Sequence, residues 1–371
     1  MQTMNFDLVE LLVAAIESRD MESGQHIKRI RYFTKALTRA VAEQCPEYSL
    51  TKEQEEFIFY ASSVHDIGKI AIPDAIMLNY TNPMSMLCKA MQTYTKVDVT
   101  GLCHSVQGTS RMLAEWAEVP MDEVKYTCVG INHMAFFVEL EHKGKDLYPL
   151  LRQKIDDPVY YNKEKVRNEI FKTFGYYVTE SSGHNSEYTA WFRKRPDLIL
   201  KYCNEKGANW NPGEYAFSLN LRRDPDRFDK LVDEFMKKEL TKERGHEYAA
   251  NIINARLGDH TPFQFNANVL NNGSVENLPY DACVEIPVIA DENGYTRVYR
   301  GKLPAAAATL VSYTASIENL VVEAWANKSK QMVYQAVSLD PLCSAVLSLE
   351  EIKSMCDELF EVNREYLGDY R

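Results

Sequence analysis

Val97-Asp98-Val99-Thr100-Gly101-Leu102-Cys103-His104-Ser105-Val106-Gln107-Gly108-Thr109 reads as a short strand running into Cys103-His104, with a helix through Met112–Ala117 behind it. The strand reading rests on a brief apolar run between polar residues. Upstream, Ala75-Ile76-Met77-Leu78 has the same character. It meets the turn Asn79-Tyr80-Thr81-Asn82-Pro83, which leads into a helix from Met84 to about Tyr94. Downstream, Tyr126–Val129 and Ala135–Glu141 read as strands around the loop Gly130–Met134, and residues 146–257 as mostly helical with long polar faces. Pro262–Leu270 and Val284–Ala290 follow as strands, then helices over about Ala305–Val337 and Leu349–Glu365. This succession predicts an α/β class with an α+β C-terminal part.

The first seventy residues have a different texture. Leu8, Val9, Leu12, Val13 and Ile16 fall on one helical face, and a basic amphipathic helix runs from His26 to about Gln44. Cys45-Pro46-Glu47-Tyr48-Ser49 breaks it. Thr51 with Gln54 resembles a capping box opening a helix that turns Phe57, Ile58, Ala61 and Val64 towards a core and ends near Gly68.

A chain of 371 residues suffices for two ordinary domains, and 45% apolar with 26% charged residues is a globular composition. The net charge of −11, without concentrated Lys and Arg, argues against a nucleic-acid surface. No uninterrupted apolar run reaches membrane-spanning length. Leu8–Ile16 is broken by Glu10 and lacks the basic flank and cleavage site of a signal peptide. Eight scattered cysteines without a CxxC pair predict reduced thiols and a cytoplasmic location.

His65-Asp66 stands within His65-Asp66-Ile67-Gly68-Lys69-Ile70-Ala71-Ile72-Pro73-Asp74. A neighbouring His and Asp can ligate one divalent ion through nitrogen and oxygen. With Glu17-Ser18-Arg19-Asp20 and Glu22-Ser23-Gly24-Gln25-His26-Ile27-Lys28-Arg29, this string resembles the opening of an HD-GYP phosphodiesterase. The resemblance implies an all-α HD-domain fragment over residues 1–73. The family's further histidines, distal Asp and Gly-Tyr-Pro loop do not follow, so His65 and Asp66 are expected to be a vestigial metal site at most, without phosphodiesterase activity.

The rest carries another set of strings: Leu78-Asn79-Tyr80-Thr81-Asn82-Pro83-Met84, Gly101–Thr109, Gly130-Ile131-Asn132-His133-Met134, Thr179-Glu180-Ser181-Ser182-Gly183-His184 with Glu187-Tyr188, Gly245-His246-Glu247-Tyr248-Ala249, Asn271-Asn272-Gly273, Val284-Glu285-Ile286-Pro287 and Leu339-Asp340-Pro341-Leu342. In this order, residues 74–371 resemble the family 4 glycoside hydrolases, which use NAD and manganese, and Cys103-His104-Ser105 resembles their α-galactosidase branch. The resemblance implies a partial Rossmann-like sheet with a lactate/malate-dehydrogenase-like C-terminal domain, a homo-oligomer, and a small α-galactoside as substrate. It also implies a redox-assisted elimination in place of the two-carboxylate scheme of most glycosidases. In that chemistry NAD⁺ takes a hydride from C3 of the sugar, the ketone acidifies C2, a base removes the C2 proton, the glycosidic bond breaks, water adds and the hydride returns.

Carried over position by position, Cys103 and His133 match the metal ligands and Tyr248 the catalytic base. His104 is assigned as proton donor to the leaving group, Asn82 as the Asn-Pro contact beside nicotinamide and sugar, and Asn132 and His184 as sugar contacts. Thiolate and imidazole suit a borderline divalent ion; side-chain chemistry alone leaves zinc or iron open, and Mn²⁺ comes from the resemblance. A tyrosine base needs a nearby cation to favour phenolate. The Gly-rich loop that would cradle NAD is absent, because the closest of the 16 glycines, Gly207 and Gly213, stand six residues apart.

Overall fold

The structure is a computed structural model that describes residues 24–44, 50–52, 54, 55, 58, 76–203, 227–237 and 247–371. The chain divides into two compact units, residues 1–75 with 215–246, and residues 76–214 with 247–371.

In the first unit the helix Gly24–Gln44 packs against the helix Arg227–Met236. Ala36 and Ala40 are buried apolar residues of the first of these helices. Thr51 and Gln54 form the expected reciprocal pair: the Gln54 amide donates to Thr51 Oγ1, and the Thr51 amide donates to Gln54 Oε1. The apolar stripe Leu8–Ile16, the core positions Phe57, Ala61 and Val64, and the pair His65-Asp66 lie outside the described residues.

The second unit is built on one sheet. Its strands are β1 (Ile76–Asn79), β2 (Asp98–Gly101), β3 (Val124–Ile131), β4 (Met134–His142), β5 (Lys145–Asp146), β6 (Phe263–Leu270), β7 (Cys283–Asp291) and β8 (Gly294–Arg297). They lie in the order β1-β2-β6-β7-β3-β4-β5, with β8 on β7. β1 and β2 are parallel, joined through the helix Met84–Tyr94, and the other pairings are antiparallel. A parallel pair needs such a crossover, whereas the antiparallel pairs β3–β4, β4–β5 and β7–β8 close through short turns. β6 and β7 are buried along nearly their whole length, which is why Val284-Glu285-Ile286-Pro287-Val288-Ile289 reads as a run and not an alternation.

The sheet's main core gathers Leu102, Ile131, Met134, Phe136, Ile252, Ala267, Val284, Ile286 and Val311. A second cluster, under the helix Ser105–Trp116, holds Leu113, Trp116, Phe137, Leu151, Phe171 and Tyr177. The helix Ala305–Asn327 presents Ala307, Ala308, Val311 and Ala315 to the main core. By length and composition this helix could cross a membrane, but Thr309, Ser312, Ser316 and Glu318 interrupt its apolar run and its inner face is buried in the fold. Sequence reading ran it on to residue 337. Lys328 instead takes a left-handed backbone (φ 50) that ends it, and a new helix starts at Lys330. β5 and β8 lack an apolar run that would mark them in the sequence.

Candidate metal centre

Three segments meet where β2, β3 and β4 end or begin. β2 stops at Gly101, Leu102 is wholly buried, and Cys103 follows with 8% of its surface exposed. β3 and β4 pair up to Ile131 and Met134, leaving Asn132-His133 as a two-residue turn. The Thr179 amide donates to Ala135 O (2.8 Å) and the Ala135 amide donates to Thr179 Oγ1 (3.1 Å), pinning the Glu180 segment beside the start of β4. His133 (φ 66) and Glu180 (φ 69) both hold left-handed backbone, uncommon for residues with a side chain and concentrated at functional sites.

The result is a compact donor set. Cys103 Sγ, a ring nitrogen of His133 and a carboxylate oxygen of Glu180 all lie within 4.8 Å of one another. His133 Nε2 stands 3.4 Å from Glu180 Oε2, and its Nδ1 is hydrogen-bonded to the Tyr188 hydroxyl at 2.9 Å. That second contact fixes the ring and leaves Nε2 for the cluster. Burial pushes His133 below the usual imidazole range, outweighing the neighbouring Glu180, so the ring is held neutral as a ligand must be. Burial and the charge of Glu285 lift the metal-free Cys103 thiol to about 11, against hydrogen bonds from Ser105. Sulfur, nitrogen and oxygen donors converging in a half-buried site fit a borderline divalent cation. Replacing Tyr188 with Phe would free His133 to rotate; metal affinity is expected to fall roughly 10–100-fold, read by titration with Mn²⁺, while an unchanged affinity would show that the hydroxyl does not orient the ring.

The other expected site residues divide. The His184 ring stacks on His133 with centroids 5.3 Å apart, and its Nδ1 pairs with Glu187 at 3.0 Å, which raises its pKa. Asn132 is buried beside His133, and its Nδ2 has no acceptor. His104 is exposed; Nε2 lies 2.7 Å from Glu247 Oε1, and the ring stacks on Tyr80 at 5.3 Å. Glu247 is held below the usual carboxylate range by His104, and Tyr80 is pushed up to about 12 by burial and Glu247. Asn82 serves turn geometry, its Oδ1 accepting from the Met84 amide at 3.1 Å.

Tyr248 packs its ring against Phe263 and Phe265, with 9% of its surface exposed. Burial raises its pKa in the metal-free protein, against a hydrogen bond to Gln107, so a base role there requires a cation nearby. The preceding Glu247 faces His104. Glu180 is the residue that sequence reading passed over. It stood inside a quoted string, but only the pinning of that segment to β4 reveals it as a third donor.

The fold is α/β, with a Rossmann-like sheet beside which a thiol, an imidazole and a carboxylate stand close enough together to hold a metal ion. The description "Family 4 glycosyl hydrolase" matches residues 22–119, and "Family 4 glycosyl hydrolase C-terminal domain" matches residues 128–343. The chain belongs to the family 4 glycosyl hydrolases. It is 38% identical over 313 residues to an alpha-galactosidase of Bacillus subtilis (strain 168), covering 81% of this chain and 68% of that protein. It is 34% identical over 312 residues to an alpha-galactosidase of Rhizobium meliloti (strain 1021), covering 82% of this chain and 63% of that one. The chain thus spans about two thirds of the length of these relatives. The fold is similar to that of a 6-phospho-alpha-glucosidase from gut microorganisms solved in complex with NAD and Mn²⁺, with a TM-score of 0.62 at 20% identity, over 81% of this chain and 69% of that one. The N-terminal family match begins at residue 22, within the segment that resembles an HD-GYP opening, and includes His65 and Asp66.

Proposed function

We propose that the chain is an α-galactosidase-type glycosidase that binds a divalent cation through Cys103, His133 and Glu180 and cleaves small α-galactosides. The observation that carries this reading is the convergence of those three donors from separate segments, in a chain 38% identical to an alpha-galactosidase. A cation held there supplies Lewis-acid polarisation of sugar hydroxyls. The chain's own groups do the rest. Tyr188 orients His133. The unpartnered Asn132 Nδ2 offers a buried donor to a hydroxyl, and the His184 ring offers a flat polar face beside it. His104, exposed and paired with Glu247 and Tyr80, passes a proton to the departing sugar oxygen in this reading. Asn82 is retained as a substrate contact at the turn before the helix Met84–Tyr94.

NAD does not find the same fit: the sequence has no GxGxxG loop for its pyrophosphate. That observation favours, as a second reading, a sugar- and metal-binding protein without turnover. A phosphodiesterase is not proposed, since the segment bearing His65 and Asp66 matches family 4. A free cysteine ligand suits a reducing compartment such as the cytoplasm, and a homo-oligomer belongs to the same reading.

Hydrolysis of a chromogenic α-galactoside, with and without Mn²⁺, NAD⁺ and a thiol reductant, tests it. The expected result is release that requires Mn²⁺ and reductant and increases with NAD⁺. Release indifferent to all three would overturn the reading, and Mn²⁺ binding without release would establish the second one.

A further inference from the structure

One row of residues crosses the sheet through the strands that lead to Cys103 and His133. Gly101 on β2 pairs with Asn268 on β6, Asn268 pairs with Glu285 on β7, and Glu285 pairs with Gly130 on β3. Residues paired across neighbouring strands project to the same face. The row stands two residues before Cys103 on one side and three before His133 on the other. Both ends are glycines held by close approach: a β-carbon on Gly101 would lie 2.8 Å from Asn268 Cβ, and one on Gly130 would lie 2.4 Å from Met134 O. The side chains of Asn268 and Glu285 are therefore the ones that fill this row.

Glu285 has no exposed surface, and neither of its carboxylate oxygens has a hydrogen-bond partner; Asn268 Oδ1 beside it also lacks one. Buried acceptors without a donor or cation are costly, a carboxylate above all. Nothing in the proposed sugar chemistry uses Glu285, because it does not reach solvent.

We propose that Glu285 is a positioning residue of the metal centre, a buried carboxylate in the row that leads to Cys103 and His133, whose charge the bound cation balances. This rests on the metal site of the preceding section. It accounts for a partnerless carboxylate in the sheet: without the cation it is a liability, and with the cation it adds a second carboxylate charge to the site beyond that of Glu180. The charge holds a cation more firmly than the direct donors alone, as outer groups do in metal proteins generally.

The test is titration of the metal-free full chain with Mn²⁺, reading free aqueous Mn²⁺ by its paramagnetic resonance, alongside the melting temperature of the metal-free protein. Glu285→Gln keeps the shape and removes the charge. It is expected to weaken Mn²⁺ binding roughly 10–100-fold while leaving the metal-free melting temperature unchanged or higher. Glu285→Asp, which keeps the charge, is expected to bind nearer to wild type than Glu285→Gln does; the reverse order would overturn the proposal, since shape would then govern. Cys103→Ser is the reference for the site itself. If Cys103→Ser weakens binding and Glu285→Gln does not, the role of Glu285 is refuted and the metal site stands. If neither changes binding, the metal site is refuted and Glu285 with it.

Discussion

Cys103→Ser is expected to lower the affinity for Mn²⁺ by more than about 100-fold, beyond the roughly 10–100-fold typical of losing a supporting group around a metal. The reason is chemical as well as geometric. Thiolate is a soft, charged donor, and a serine hydroxyl in the same place is neutral and hard. The replacement is nearly isosteric, so Leu102 stays buried and the helix Ser105–Trp116 still starts behind it. The metal-free protein should therefore melt close to wild type, and the loss should appear in the Mn²⁺ titration alone. Unchanged affinity would remove Cys103 from the ligand set and leave His133 and Glu180 too few to hold an ion.

The largest expected loss of stability follows from Arg167→Met. Arg167 is 3% exposed, and its guanidinium grips Glu164 with Nη2 at 2.7 Å and Nε at 2.8 Å, while Nη1 donates to Thr109 Oγ1 at 2.9 Å. Glu164 in turn accepts from the Ser182 amide at 3.0 Å, two residues beyond Glu180. Removing the cation leaves a largely buried carboxylate unpaired, which costs about 3–5 kcal/mol. Urea unfolding followed by the fluorescence of Trp116, buried in the same cluster, measures it, and a loss under about 1 kcal/mol would show that the pair contributes little beyond a surface bridge. The pH dependence has a definite sign. Burial would lift Glu164, but Arg167 and Ser182 hold it below the usual carboxylate range. Its contribution is therefore complete above the unfolded carboxylate pKa and disappears as pH falls through the lower folded value. Wild type and variant should converge in acid.

Much of the architecture was legible because local chemistry and burial agree. The helix Met84–Tyr94 and the strands β1, β2, β3, β4, β6 and β7 were each anticipated within a few residues, since each is an apolar run bounded by turn residues. The order of the sheet was not. Placing β6 and β7 between β2 and β3 joins segments more than a hundred residues apart, and no periodicity encodes which strand lies beside which. The site divides in the same way. Cys103 and His133 were recognisable from their strings, but Glu180 and Glu285 become meaningful only through tertiary placement, one by pinning to β4 and the other by a row across the sheet. Tyr248 was likewise picked out by its string, and at the first position of its helix periodicity gave no sign that its ring would pack against Phe265.

The three donors come from a strand end, a hairpin turn and the segment pinned beside it, far apart along the chain. Under the proposed metal site, an ion bound to all three in the folded protein and not in the unfolded chain would stabilise the fold by mass action. Heat tolerance would then depend partly on the supply of metal around the protein, and starvation for that metal would loosen the molecule before any sugar is encountered.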